Sequence, residues 1–275
     1  MTVTNAVETT MIWGTVSGAS MVGMVISLLL SVGLPIFLCI FIYKKTKAWV
    51  PAFFIGCGIF VGFAMILEQI CHAIVLTVTG SAIRDNIWLY AIYGGLAAAL
   101  FEECGRWIAM KFCLKKHLTR ENALMYGAGH GGIEAFLILG MSSMSNLLTA
   151  AMINGGLMEK TMTALEPAQQ EVTYHQLSVL WTTPAYQFYL APVERISAIA
   201  LQIALSILVY SAVKTGRKLQ LAAAFGLHFA VDFLTVVCAS TIPTWALELG
   251  LLLVVAVICV AVYKLVYVQM AEKKA

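Results

Sequence analysis

Seven stretches of this chain stay apolar for long enough to cross a bilayer, and that restricts the fold more than any motif within them. A hydrocarbon core of about 30 Å is spanned by about 20 helical residues. The runs at 18–43, 50–78, 87–112, 121–146, 192–213, 218–240 and 244–267 each supply them. Backbone groups cannot be left unpaired in lipid, so each run is expected to be helical. With 61% hydrophobic and 11% charged residues in 275, the chain lacks the polar surface of a soluble globule. The connections are mostly short. Residues 1–275 therefore read as one integral membrane domain, an all-α polytopic transmembrane bundle, with its motifs concentrated in 87–146 and 218–240.

Orientation follows from the cations. Lys44, Lys45, Lys47, Lys111, Lys115, Lys116, Arg120, Lys214, Arg217, Lys218, Lys264, Lys273 and Lys274 fall on one side of this topology, whereas Arg84, Lys160 and Arg195 fall on the other. The positive-inside rule puts the crowded side in the cytoplasm, with the N-terminus outside and the C-terminus cytoplasmic. A multi-pass protein of the cell membrane is expected. The first ten residues carry no Lys or Arg, and the apolar run that follows exceeds a signal-peptide core, so the N-terminus reads as retained. The long connection, about 147–191, falls outside; its "WTTPAYQFYLAPVER" suits either a segment lying in the interface over the bundle or a plain surface loop. The seven cysteines occur singly without a C-x-x-C pair, which reads as packing thiols rather than disulfides or a zinc ribbon. The net charge of +3 is accounted for by the cytoplasmic loops, and no nucleic-acid partner is indicated.

Ionisable residues inside a membrane are costly and mark function by default. The third run carries Glu102, Glu103 and Arg106 in "FEECGRW"; the fourth carries His130 and Glu134 in "YGAGHGGIEAF"; the sixth carries His228 and Asp232 in "GLHFAVDF". Glu102 lies nine residues from Lys111, His130 nine from Glu121 and His228 ten from Lys218. At the helical rise all three sit about 14 Å below one surface. The spacing i, i+4 puts Glu102 with Arg106, His130 with Glu134 and His228 with Asp232 on common faces, so each run presents one polar stripe. Taken singly such pairs can be contacts that fix helix register; three at one depth point to a site. Glycines 127, 129, 131 and 132 clear space around His130 for a neighbouring helix or a substrate backbone. Glu68 with His72, and Glu194 with Arg195, count nearer the outer face and read as structural pairs. Trp107 and the methionines read as packing or lipid-facing.

These motifs resemble the intramembrane proteases that include the type II CAAX prenyl proteases and the bacterial self-immunity proteins. Those families have paired glutamates followed by an Arg, an aromatic four residues before a His, and a His four residues before Asn or Asp. The matching positions are Glu102, Glu103 and Arg106; Tyr126 and His130; His228 and Asp232, in the same chain order. Two features differ: Arg106 follows the glutamate pair after two residues rather than three, and Tyr126 stands in place of Phe. "FEECGRW", "GHGGIE" and "HFAVD" in a seven-span chain of this length are closer still to the bacterial YhfC family of membrane peptidases.

The resemblance implies an intramembrane endopeptidase, opening toward the cytoplasmic half, that hydrolyses a membrane protein or lipidated peptide with a glutamate-activated water. Glu102 would be the general base, His130 would orient the water, and His228 with Asp232 would stabilise the oxyanion. Glu103, Arg106 and Glu134 would support them. An ionised Asp232 cannot donate to an oxyanion, so it must be protonated, or orient His228, or bind metal. No cofactor is required by this reading, and zinc is the alternative, with His130, His228, Glu102 and Asp232 as candidate ligands and Glu134 nearby. The absence of H-E-x-x-H weighs against zinc. Other readings are a proton-coupled transporter, opposed by the lack of repeats or paired broken helices, and a non-catalytic scaffold like the Aph subunit of γ-secretase, opposed by the complete Glu–Glu–Arg set.

Overall fold

A computed structural model describes residues 11–272, and within them the apolar runs form seven membrane-length helices: Gly18–Thr46, Pro51–Thr79, Ile87–Cys113, Arg120–Asn154, Ala185–Thr215, Lys218–Ala239 and Thr244–Tyr267. Residues 1–10, and Lys273 and Lys274 of the orientation argument, lie outside the described residues. The cation-bearing helix ends do meet at one end of the bundle. There the Trp49 amide donates to Asn122 Oδ1 at 2.7 Å, the Trp49 ring stacks on His117 at 4.1 Å, and Arg120 Nη1 donates to the Tyr267 carbonyl at 3.2 Å.

The connection expected over 147–191 is not a plain loop. The fourth span continues to Asn154 and the fifth begins at Ala185, leaving a stretch that itself holds helices Leu157–Met162 and Pro167–Thr182. "MSSMSN" looks too polar for a span, but a helix absorbs serine by returning its hydroxyl to the preceding turn. Ser142 Oγ donates to the Ile138 carbonyl at 2.6 Å. Helix Pro167–Thr182 starts on a proline, which costs no helical hydrogen bond at that position, and docks on the segment preceding the first span. Tyr174 Oη donates to the Ile12 carbonyl at 2.7 Å, and Trp13 packs against Tyr174 and Trp181. Val16, Met24, Ala150, Ile153 and Leu180 form the core beneath it.

The fifth span is the bundle's axis. Its apolar window is 72% buried, against 11–33% for the other six, whose residues such as Phe37, Phe54, Leu148 and Val257 face outward toward lipid. Without a hydrophobic force between helices in lipid, close backbone approach and buried hydrogen bonds hold such a bundle together. The fourth span supplies the approach. A methyl at Gly129 would overlap the Phe53 carbonyl of the second span, and one at Gly131 would stand 3.0 Å from both Gln202 Cβ and Ile199 Cα of the fifth. His130 lies between these two glycines and is therefore clamped between two helices, fully buried.

Gly129→Val should accordingly destabilise the protein by about 1–3 kcal/mol or more through overpacking. Gly33→Ala, inside the first span where an added methyl meets nothing within 4 Å, should not destabilise and should gain up to about 1 kcal/mol from the lost glycine. Chemical unfolding of both variants in detergent micelles would check the pair.

Candidate active site

The three polar stripes converge, but their partners lie across helices more than along them. Arg106 is wholly buried. Its Nη1 donates to Glu103 Oε1 at 2.6 Å and its Nη2 donates to Gln202 Oε1, whereas Glu102 Oε2 is 4.0 Å away. The expected pairing of Arg106 with Glu102 is thus secondary: Glu103, three residues back, takes the guanidinium. His130 does not pair with Glu134. Its Nε2 shares a 2.9 Å hydrogen bond with Glu102 Oε2, and its Nδ1 lies 3.5 Å from Tyr126 Oη. His228 Nδ1 is hydrogen-bonded to Glu103 Oε1 at 2.9 Å, leaving Nε2 turned to Asp232 Oδ2 at 3.5 Å and Glu102 Oε2 at 3.9 Å. All seven singled-out residues therefore belong to one cluster, with Asp232 at its more open edge.

Gln202 is the residue the sequence reading missed. Its Nε2 donates to Glu102 Oε2 and to Glu134 Oε2, each at 2.9 Å, while its Oε1 accepts from Arg106. One amide thus joins the third, fourth and fifth spans. The available signal was a lone Gln in "SAIALQIALSILVY", since an amide at that depth must find partners for two donors and an acceptor. Arg195, read above as one half of a structural pair with Glu194, does contact Glu194 but also donates from Nη1 to Glu134 Oε1 at 3.1 Å. Glu68 and His72 pair at 3.2 Å, and His72 Nδ1 lies 2.8 Å from Tyr93 Oη, which ties the second span to the third. Glu248, unremarked in the sequence, is buried with its Oε2 free of a partner among the described residues.

A cavity of about 330 Å3 opens onto the cluster, lined by Glu102, Glu134, Arg195, Gln202, His228 and Asp232. It extends to Gly94, Glu194 and Val236, away from the cation-rich end. Toward that end, where the opening was expected, Met110, Leu114, Met125, Tyr126, Leu205 and Val209 pack together, and a cavity of about 230 Å3 lined by Trp107, Lys111 and Arg217 includes none of the cluster residues. Glu102 lines the cavity, and its Oε1 has no hydrogen bond from a described residue.

One atom each of Glu102, His130 and Glu134 lies within 4.8 Å of the others. Tetrahedral zinc, with bonds of about 2.0–2.2 Å, needs ligand atoms about 3.4 Å apart, so a closure of about 1 Å would complete such a set. The donor chemistry suits zinc, and the surrounding groups are those that orient ligands: Arg195 and Gln202 on Glu134, Gln202 on Glu102, Tyr126 beside His130. Glu102, Glu103, Glu134 and Asp232 also outnumber the two guanidiniums among them, an imbalance that a divalent cation offsets. The residues fit the ion.

A family model described as "YhfC intramembrane metalloprotease" matches residues 30–259. An uncharacterized membrane protein, YhfC of Bacillus subtilis (strain 168), is 43% identical over 204 residues, covering 71% of this chain and 76% of that protein. No solved structure matches.

Replacing Gln202 by Leu keeps the volume and removes every bridge, leaving a buried guanidinium and two carboxylates short of partners. A loss of about 3–5 kcal/mol is expected. Gln220→Leu, near the end of the bundle, should change stability by no more than about 0.5 kcal/mol; detergent unfolding of the two variants side by side gives the comparison.

Proposed function

The chain belongs to the YhfC intramembrane metalloprotease family, and from that premise we propose that it hydrolyses peptide bonds within the membrane at the Glu102–His130–Glu134 cluster, with zinc assisting. The observation that carries this reading is a buried imidazole and two carboxylates gathered beside a cavity, each already oriented by a further side chain. Glu102, His130 and Glu134 would hold the ion, which would supply a Lewis acid for the carbonyl and an acidified water.

The remaining work falls to the chain. Asp232 lines the cavity without being locked into the buried network, and is the carboxylate placed to take a proton from the attacking water. Glu103 accepts from His228 Nδ1 while Nε2 faces the same space, so the imidazolium form of His228 would aim an Nε2–H at the oxygen on which negative charge grows. Arg106 fixes Glu103 and Gln202 and thereby both halves of the site.

A metal-free glutamic mechanism is favoured by one feature, the free Oε1 of Glu102, which could itself accept the proton of the nucleophilic water while Oε2 stays with His130 and Gln202. Metal analysis separates the two. Purified wild type should carry close to one zinc per chain, Glu134→Gln and His130→Ala should lose it, and chelation should abolish peptide cleavage. Asp232→Asn should retain zinc and lose about 10²- to 10⁴-fold in rate. Cleavage that persists through chelation yet is abolished by Glu102→Gln would overturn zinc in favour of the glutamic mechanism, and wild type that cleaves no peptide would remove both.

A further inference from the structure

A second cavity, about 720 Å3, lies at the end of the bundle opposite the cations, between the first, fourth and fifth spans and helix Pro167–Thr182. None of its lining residues is ionisable. Ser143, Ser145, Asn146, Thr149, Gln176 and Gln187 line it, and none of these side chains hydrogen-bonds to another described residue. In so apolar a setting, hydroxyls and amides lacking internal partners are available to a ligand.

The two cavities follow one another along the fourth and fifth spans without sharing a lining residue. On the fifth span Gln187 and Ala191 face the larger cavity, and Glu194, Ala198 and Gln202 face the smaller; the spacings of three and four residues keep all five on one helix face. On the fourth span Glu134 faces the smaller cavity and Ser142, Asn146 and Thr149 the larger. Between them the π-helical turn Phe136–Gly140 takes up about one extra residue, which returns those three to the Glu134 face. At the junction the Arg195–Glu134 ion pair crosses from one span to the other.

We infer that the larger cavity is a vestibule that holds an extended, uncharged segment of a membrane peptide and feeds it along that shared helix face to the site. This rests on the proteolytic reading above. A scissile bond must be unwound to be attacked, and an unwound segment in lipid carries free backbone amides that need partners. Neutral hydroxyls and carboxamides supply them, whereas a charged side chain would find no counter-ion in the vestibule.

Photo-crosslinking tests this without requiring cleavage. Benzoylphenylalanine is placed at Thr149, at Gln187 or at the outward-facing Leu148 in the otherwise intact protein. The probe is a biotinylated peptide of about 20 Leu and Ala residues broken by a short Gly-Pro run. Positions 149 and 187 should capture it several-fold more than 148, and a Lys beside the break should suppress capture several-fold. Equal capture at all three positions, or none at both 149 and 187, overturns the vestibule. Capture without cleavage by the wild type would keep the vestibule as a peptide site and remove the protease. Cleavage dependent on Glu102, with no capture, would keep the protease and remove the vestibule.

Discussion

A single guanidinium that water cannot reach sets the terms for this bundle. Arg106 cannot shed its charge, so the fold must bring partners to it from elsewhere in the chain. Glu103 comes from its own helix and Gln202 from the fifth span, and the second contact pins the most buried helix of the protein to the third. Its Nε is left without a partner among the described residues, so even this arrangement is incomplete. With Arg106 in place, Gln202 has only one useful orientation: the oxygen points at the cation and the amide hydrogens point at Glu102 and Glu134. The cluster is then determined outward from one charge.

That charge can be reached only because the neighbouring backbone is bare. The Gly129 and Gly131 positions let the second and fifth spans close on the fourth from two sides, so His130 is held by packing before it makes a hydrogen bond. Glycine is costly inside a helix. In lipid, where apolar side chains gain nothing by preferring one another over acyl chains, that cost is offset by backbone approach and the polar contacts it permits.

Much of this was legible in the sequence. Seven spans and the common depth of Glu102, His130 and His228 followed from the apolar runs and from the constant rise of a helix, which no tertiary contact alters much. The partners were not. Residues i and i+4 share a face, yet His130 bonds to Glu102 rather than Glu134, and Arg106 to Glu103 before Glu102. In a low-dielectric interior crowded with ionisable groups, the best geometry often lies on the next helix, and one sequence carries no record of which helix that is. The fourth span was drawn too short for a related reason, since Ser142 satisfies its hydroxyl within the helix and the polarity of Ser143, Ser145 and Asn146 is turned into the larger cavity.

The roles of Gln202 and Arg195 escaped notice for a different reason. Each sits in the fifth span, whose stripe of polar residues from Gln187 to Gln202 is too sparse to register as amphipathic, and whose flanks are buried on nearly every side. A helix buried all round cannot reveal its functional face by contrast with a lipid-facing one. What does reveal it is the line of cavities. Both cavities border one face of this span, the larger toward the far end of the bundle and the smaller at Glu102, while toward the cation-rich end apolar side chains pack beneath the site and a cavity of about 230 Å3 touches none of its residues.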